Sequence, residues 1–138
     1  LMELLGSRFV AHPPNMSIKV KVNDKSHPIT KDLNDFEIFD EPYYCEFSDG
    51  IKVLLESRYT DDADAYVHSL WKEDIPRPQM YLHKVGKGGV LYLILGHCRG
   101  KYDMRPFMDE CPVDRGGWES EAFYELLRRG IKWGINKI

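Results

Sequence analysis

Five histidines, three cysteines and a scatter of carboxylates are the residues that could do chemistry in this chain. His97 is the best placed of them. It follows an unbroken apolar run, Val90-Leu91-Tyr92-Leu93-Ile94-Leu95, which ends at Gly96. Continuous apolarity predicts a central strand buried on both faces. Ligands of open α/β sheets collect just past the carboxyl ends of such strands. A neutral imidazole there can act as general base, proton donor or hydrogen-bond partner to a hydroxyl. The competing reading is a histidine that only caps the strand end. Cys98, its neighbour, invites a nucleophile–base pair. Adjacent residues on an extended chain point to opposite faces, however, so Cys98 reads as structural.

The remaining candidates are weaker. Asp61, Asp62 and Asp64 suggest calcium, but the run lacks the glycine turn and the distant glutamate of a calcium loop. A solvated acidic loop is the expectation. His12, His27, His68, His83 and His97 share no metal-ligand spacing, so neither a metal nor a cofactor is expected. Gly86-Lys87-Gly88-Gly89 joins two strands and opens no helix, so it is a turn and not a phosphate cradle. Tyr43, Tyr44, Tyr102 and Trp118 sit in or beside loops. Aromatic faces with polar edges are how sugars are often gripped. The alternative is that each plugs a sheet edge.

These residues need elements to position them. Ser17-Ile18-Lys19-Val20-Lys21-Val22 alternates strictly and predicts a half-buried strand. Residues 23–28 are turn chemistry. Residues 36–39, 43–47 and 51–56 are further short strands, with a turn at Ser48-Asp49-Gly50. Residues 60–78 are polar, carry Pro76 and Pro78, and predict a long surface loop or an insertion. Residues 79–84 and 89–95 form a hairpin around Val85-Gly86-Lys87-Gly88. Residues 99–119 are irregular. Residues 120–135 form a helix whose packing face holds Phe123, Leu126, Leu127, Gly130, Ile131 and Gly134. The glycines on that face predict close approach to a sheet. The chain opens Leu1-Met2-Glu3-Leu4-Leu5, the end of a helix stopped by Gly6, without an initiator Met. That opening reads as a fragment, or as a chain without its natural beginning.

At 138 residues the chain suits a single domain. Hydrophobic residues at 43% and charged residues at 30% place it among globular proteins. A net charge of −3 offers no basic field for nucleic acid or an anionic membrane. Three irregularly spaced cysteines exclude a disulfide framework and fit a reducing cytoplasm. The longest apolar run is too short to span a bilayer, and no signal peptide is visible.

Five segments in order resemble the ThuA-like (trehalose utilisation) family. The turn, strand and terminal Gly-His of residues 86–97 match its signature, and residues 122–133 look like its closing helix. Residues 8–13, 27–33 and 40–44 are similar to further family segments. The resemblance implies an α/β fold of the flavodoxin-like, class I glutamine amidotransferase-like kind, a three-layer sandwich. This chain, residues 1–138, would be its C-terminal portion, a single ThuA-like domain with antiparallel strand additions and a closing helix, lacking the N-terminal half. An incomplete sheet would leave an open edge and an apolar face, both of which invite association, including into a homo-oligomer.

In the related amidotransferases a triad histidine stands at the equivalent strand end, followed by Pro and Glu. Here Cys98 and Arg99 follow, so the orienting Glu is missing, and the nucleophile would lie upstream. The usual triad hydrolysis of glutamine is disfavoured. The resemblance implies a small-molecule sugar as partner. His97 would be catalytic, with His12, Glu41, Tyr43, Tyr44 and Tyr102 as substrate-binding candidates. His12 and Glu41 are chosen because the match puts their segments near the same face. Two readings follow: an enzyme acting on trehalose, a related disaccharide or an oxidised sugar, or a non-catalytic sugar-binding or interaction domain.

Overall fold

The computed structural model describes residues 2–60 and 73–138. The acidic cluster at Asp61, Asp62 and Asp64, His68, and most of the expected loop at 60–78 lie outside them.

The chain opens with a single helical turn, α1 (Met2–Leu5), closed by a hydrogen bond from Gly6 N–H to the Met2 carbonyl at 2.8 Å. Among the described residues seven strands follow: β1 (Ser7–Ala11), β2 (Met16–Val22), β3 (Phe36–Asp40), β4 (Tyr44–Phe47), β5 (Lys52–Ser57), β6 (Arg77–Val85) and β7 (Gly88–Leu93). A short 3₁₀ turn (Gly116–Glu119) leads into the closing helix α2 (Glu121–Gly134). This is a mixed α/β fold in which every described strand pair is antiparallel. Five strands form one sheet in the order β3-β2-β5-β6-β7, and β1 pairs with β4 in a separate ribbon.

The alternation in β2 does what its period demands: Ile18, Val20 and Val22 are buried and Ser17, Lys19 and Lys21 are exposed. The β6–β7 hairpin turns tightly at Gly86-Lys87 and pairs Val85 with Gly88. Its two faces divide cleanly. Met80, Leu82, Leu91 and Leu93 face one way, packed with α2. Tyr81 and Tyr92 stack on the other face with centroids 5.4 Å apart. The Tyr81 hydroxyl reaches Leu5 and Ser7 and ties α1 and β1 over that face.

Two expectations change here. The apolar run does have apolar neighbours on both faces. Yet β7 is the outermost strand of the described sheet and only half-buried, not a central strand. Side-chain pattern reports what covers the faces of a strand; neighbours along the hydrogen-bonding direction leave no such mark. The packing face of α2 is also narrower than expected. Phe123 and Leu126 are buried and Leu127 and Trp133 pack against the core, but Ile131 lies at the margin of that face and is 59% exposed. Close approach holds at Gly130, where an added Cβ would lie 3.0 Å from Leu91; at Gly134 the space is open.

The far end of α2 is clamped by Arg129. Its guanidinium donates to the carbonyls of Ile29 at 3.1 Å and Lys31 at 2.6 Å, and to Glu125 at 2.5 Å. Ile29, at the centre of the turn after β2, is thereby pinned into the core with zero exposure.

Candidate functional site

The site begins with the alternation of β3. Ile38 faces the core, and period two puts Asp40 on the same side, where the carboxylate has zero exposure. A buried charge has to be met by donors. Asp40 is met by four. Gly96 N–H donates to Oδ2 at 2.7 Å; Glu41 N–H at 2.8 Å and His97 N–H at 3.1 Å donate to Oδ1. The fourth is the His97 ring, whose Nδ1 lies 2.9 Å from Oδ1.

A carboxylate with donors on every side accepts only, so Nδ1 of His97 carries the proton. Nε2 is then the basic nitrogen, and it makes no hydrogen bond among the described residues. Glutamate does not follow His97 in sequence, yet a carboxylate orients its ring: Asp40 supplies it from 57 residues upstream.

The backbone has to come unusually close for this to work. Gly96 takes φ +104°, a conformation that favours glycine. From the other side, Gly117 presses on the carboxylate so tightly that a Cβ there would stand 2.6 Å from Asp40 Oδ2. Trp118 braces the same segment, donating its indole N–H to the Gly96 carbonyl at 2.7 Å and meeting Phe123 edge-on.

His97 opens onto a cavity of about 330 Å³, within the size of small-molecule sites. His12, Glu41, Tyr43 and Arg99 share its walls, with Asn15, Cys98, Asp103 and Met104. Glu41 follows Asp40 and turns the other way, into the cavity. Its Oε2 stands 3.4 Å from His12 Nδ1 and 3.5 Å from Arg99. The Tyr43 ring lies against His97 with centroids 3.9 Å apart, and Phe9 continues the aromatic surface at 4.5 Å. Burial first, then the nearby charge of Glu41, pushes the Tyr43 phenol up to about 12, so it stays a neutral donor. Asn15 donates to Asp114 behind the wall.

Four of the six sequence candidates, His97, His12, Glu41 and Tyr43, thus share one cavity. Two do not reach it. Tyr44 points the opposite way from Tyr43, is wholly buried, and takes the Arg77 guanidinium 4.6 Å over its ring. Tyr102 is half exposed, covered by Arg105 at 4.3 Å, and stands outside a cavity that Asp103 and Met104 do reach. Trp118 is a brace. Cys98 lines the cavity but makes no hydrogen bond to His97. Cys45 is no nucleophile, since burial pushes its thiol up to about 12.

The residue that sequence reasoning missed is Asp40. Its signal was present: an acid at the inward position of Phe36-Glu37-Ile38-Phe39-Asp40 must be paired if that strand is real. Arg99, Asn15 and Asp103 carried no comparable signal.

A larger cavity of about 510 Å³ opens beside β3, between Phe39 and Arg115. No histidine lines it, and its glutamates, Glu37 and Glu119, are exposed, so it holds no oriented proton-transfer pair. Among the described residues no group of three His, Cys, Asp or Glu side chains is arranged to hold a metal ion.

Residues 1–111 match the model of the ThuA family, described as trehalose utilisation. The chain belongs to the ThuA family. A crystal structure of a protein described as ThuA-like, from Parabacteroides merdae ATCC 43184, superposes with a TM-score of 0.65 at 20% identity. The superposition covers 93% of this chain and 40% of that one. At that identity the likeness shows the ThuA-like fold, and this chain spans 40% of its relative's length. No curated protein matches this ThuA-family chain.

Proposed function

We propose that this ThuA-family chain serves carbohydrate utilisation in the cytoplasm, binding or acting on trehalose or a related disaccharide in the His97 cavity. The observation that carries the reading is the Asp40–His97 pair. A wholly buried carboxylate fixes the tautomer of an imidazole whose other nitrogen is left for a ligand in the cavity. That is the arrangement of an oriented general base. Tyr43 and Phe9 supply an apolar face for ring C–H groups, while Glu41, Arg99 and His12 supply partners for hydroxyls. The family's description supports a sugar over other small molecules.

The fold belongs to the same proposal. This chain would be the C-terminal portion of a class I glutamine amidotransferase-like, flavodoxin-like sandwich. Support comes from its 40% coverage of the ThuA-like relative and from β7, whose outer edge has no partner among the described residues. A non-catalytic sugar-binding domain is the second reading. It is favoured by one fact: no Ser, Thr or Cys side chain hydrogen-bonds to His97 among the described residues.

The test is thermal stability of wild type and His97→Ala against trehalose, other disaccharides and their oxidised forms. A ligand at 100 times its Kd adds about 2.7 kcal/mol. Stabilisation of wild type that weakens in His97→Ala places the sugar at His97. A well-folded protein that no sugar stabilises would defeat the reading. Product formation lost in folded His97→Ala separates the enzyme from the binding domain.

A further inference from the structure

The cavity holds a second imidazole–carboxylate pair, and we propose that His12, oriented by Glu41, is a second proton-transfer group working together with His97. This rests on reading the cavity as a sugar site. Nδ1 of His12 lies 2.9 Å from the Pro13 carbonyl oxygen and 3.4 Å from Glu41 Oε2. Both partners accept only, so Nδ1 carries the proton and Nε2 is the basic nitrogen, the same tautomer as His97. Arg99 takes the same Glu41 oxygen from another direction at 3.5 Å, so the carboxylate is held from two sides.

Both rings lie near Tyr43, whose centroid stands 3.9 Å from His97 and 6.2 Å from His12. Both side chains line one cavity of about 330 Å³, small enough for a single bound sugar to meet both. A residue that only binds hydroxyls needs no carboxylate behind it. A carboxylate beside the ring holds its tautomer and its orientation, which is what proton transfer needs.

The step conserves atoms and electrons. Nε2 of one ring takes a proton from a substrate or water O–H or C–H bond, whose electron pair stays behind on the reacting molecule. The other ring enters the step as the imidazolium, protonated on both nitrogens, and its Nε2–H gives a proton to the oxygen that finally receives an electron pair as a C–O bond breaks or a carbonyl becomes a hydroxyl. The two rings end with their protonation states exchanged, and no oxidant or reductant is used.

The experiment measures turnover of trehalose, related disaccharides and their oxidised forms by wild type, His12→Ala, His12→Gln and His97→Ala, with and without added imidazole. For the sugar that wild type converts, kcat in His12→Ala is expected to fall by about 10²–10⁴-fold with little change in KM. Added imidazole should restore part of it. His12→Gln, which keeps more of the side chain's volume, should fold and stay slow. A raised KM with kcat intact would make His12 a binding residue and overturn the proposal. So would a loss in folded His12→Ala that imidazole leaves untouched. If wild type binds a sugar but converts none, the catalytic reading falls and takes this proposal with it. If no sugar binds, the sugar reading itself has failed.

Discussion

Replacing Asp40 tests the centre of the site and the fold together. Its carboxylate accepts from three backbone N–H groups, of Gly96, His97 and Glu41, and from the His97 ring. In Asp40→Asn the amide has one carbonyl oxygen. It fits best where Oδ1 was, because that position serves Glu41, His97 and the imidazole. The NH₂ group then faces Gly96 N–H, donor against donor. One buried donor is left unsatisfied, at a cost of about 1–3 kcal/mol. Asp40→Ala strands all three backbone donors. Summed at the same rate this is about 3–9 kcal/mol, less whatever water recovers. A domain of this size has only about 5–15 kcal/mol in total. At roughly 3–5 °C per kcal/mol, Asp40→Asn should lower Tm by about 3–15 °C and Asp40→Ala by far more. Urea unfolding followed by circular dichroism gives the free energies. Nitrogen-15 NMR of the His97 ring gives the tautomer, which should persist in Asp40→Asn and lose its preference in Asp40→Ala. If Asp40→Ala is no less stable than Asp40→Asn, the backbone does not depend on this carboxylate and the reasoning is wrong.

Gly117→Ala should displace the Asp40 carboxylate, since its Cβ would stand 2.6 Å from Oδ2; lower Tm and weaker stabilisation by any bound disaccharide are the readouts. Arg129→Ala should release the turn around Ile29 from α2 and cost about 1–3 kcal/mol in urea unfolding, with little recovered by Arg129→Lys, which lacks the fork. Burial, followed by the Lys52 charge and opposed by Asp24, lowers the His27 pKa from 6.5. The unfolded chain therefore binds that proton more readily, so stability should rise with pH through the window below 6.5 and be lost as pH falls through it. His27→Gln should flatten that dependence, measured as urea midpoints between about pH 7.5 and 5.

Elements marked by short-range pattern were legible: the alternation of β2, the β6–β7 hairpin and the start of α2. The strand-end histidine was legible for the same reason. What stayed hidden depends on long-range pairing or on a one-residue register. Tyr43 and Tyr44 looked equivalent beside a loop, but neighbours on an extended chain face opposite ways, so only one could reach the cavity. The partner of His97 was sought in the adjacent residues, whereas it came from β3 through a contact spanning 57 positions. The place of β7 in the sheet was hidden because edge position is a property of backbone pairing.

The Asp40 carboxylate also changes what loop amides can do. The N–H groups of Gly96, His97 and Glu41 lie outside the strand ladders, where exchange with solvent deuterons is ordinarily rapid. Here their acceptor has zero exposure and sits at the end of a core strand. They can open only when β3, the Gly96–His97 segment and the Gly116–Gly117 turn separate. Their exchange should therefore be as slow as that of β2 and β5, and governed by global unfolding and not by local fraying. Loops usually sit at the soft end of a protein's stability range; this one is fastened at the hard end, so the wall it gives the His97 cavity is already set.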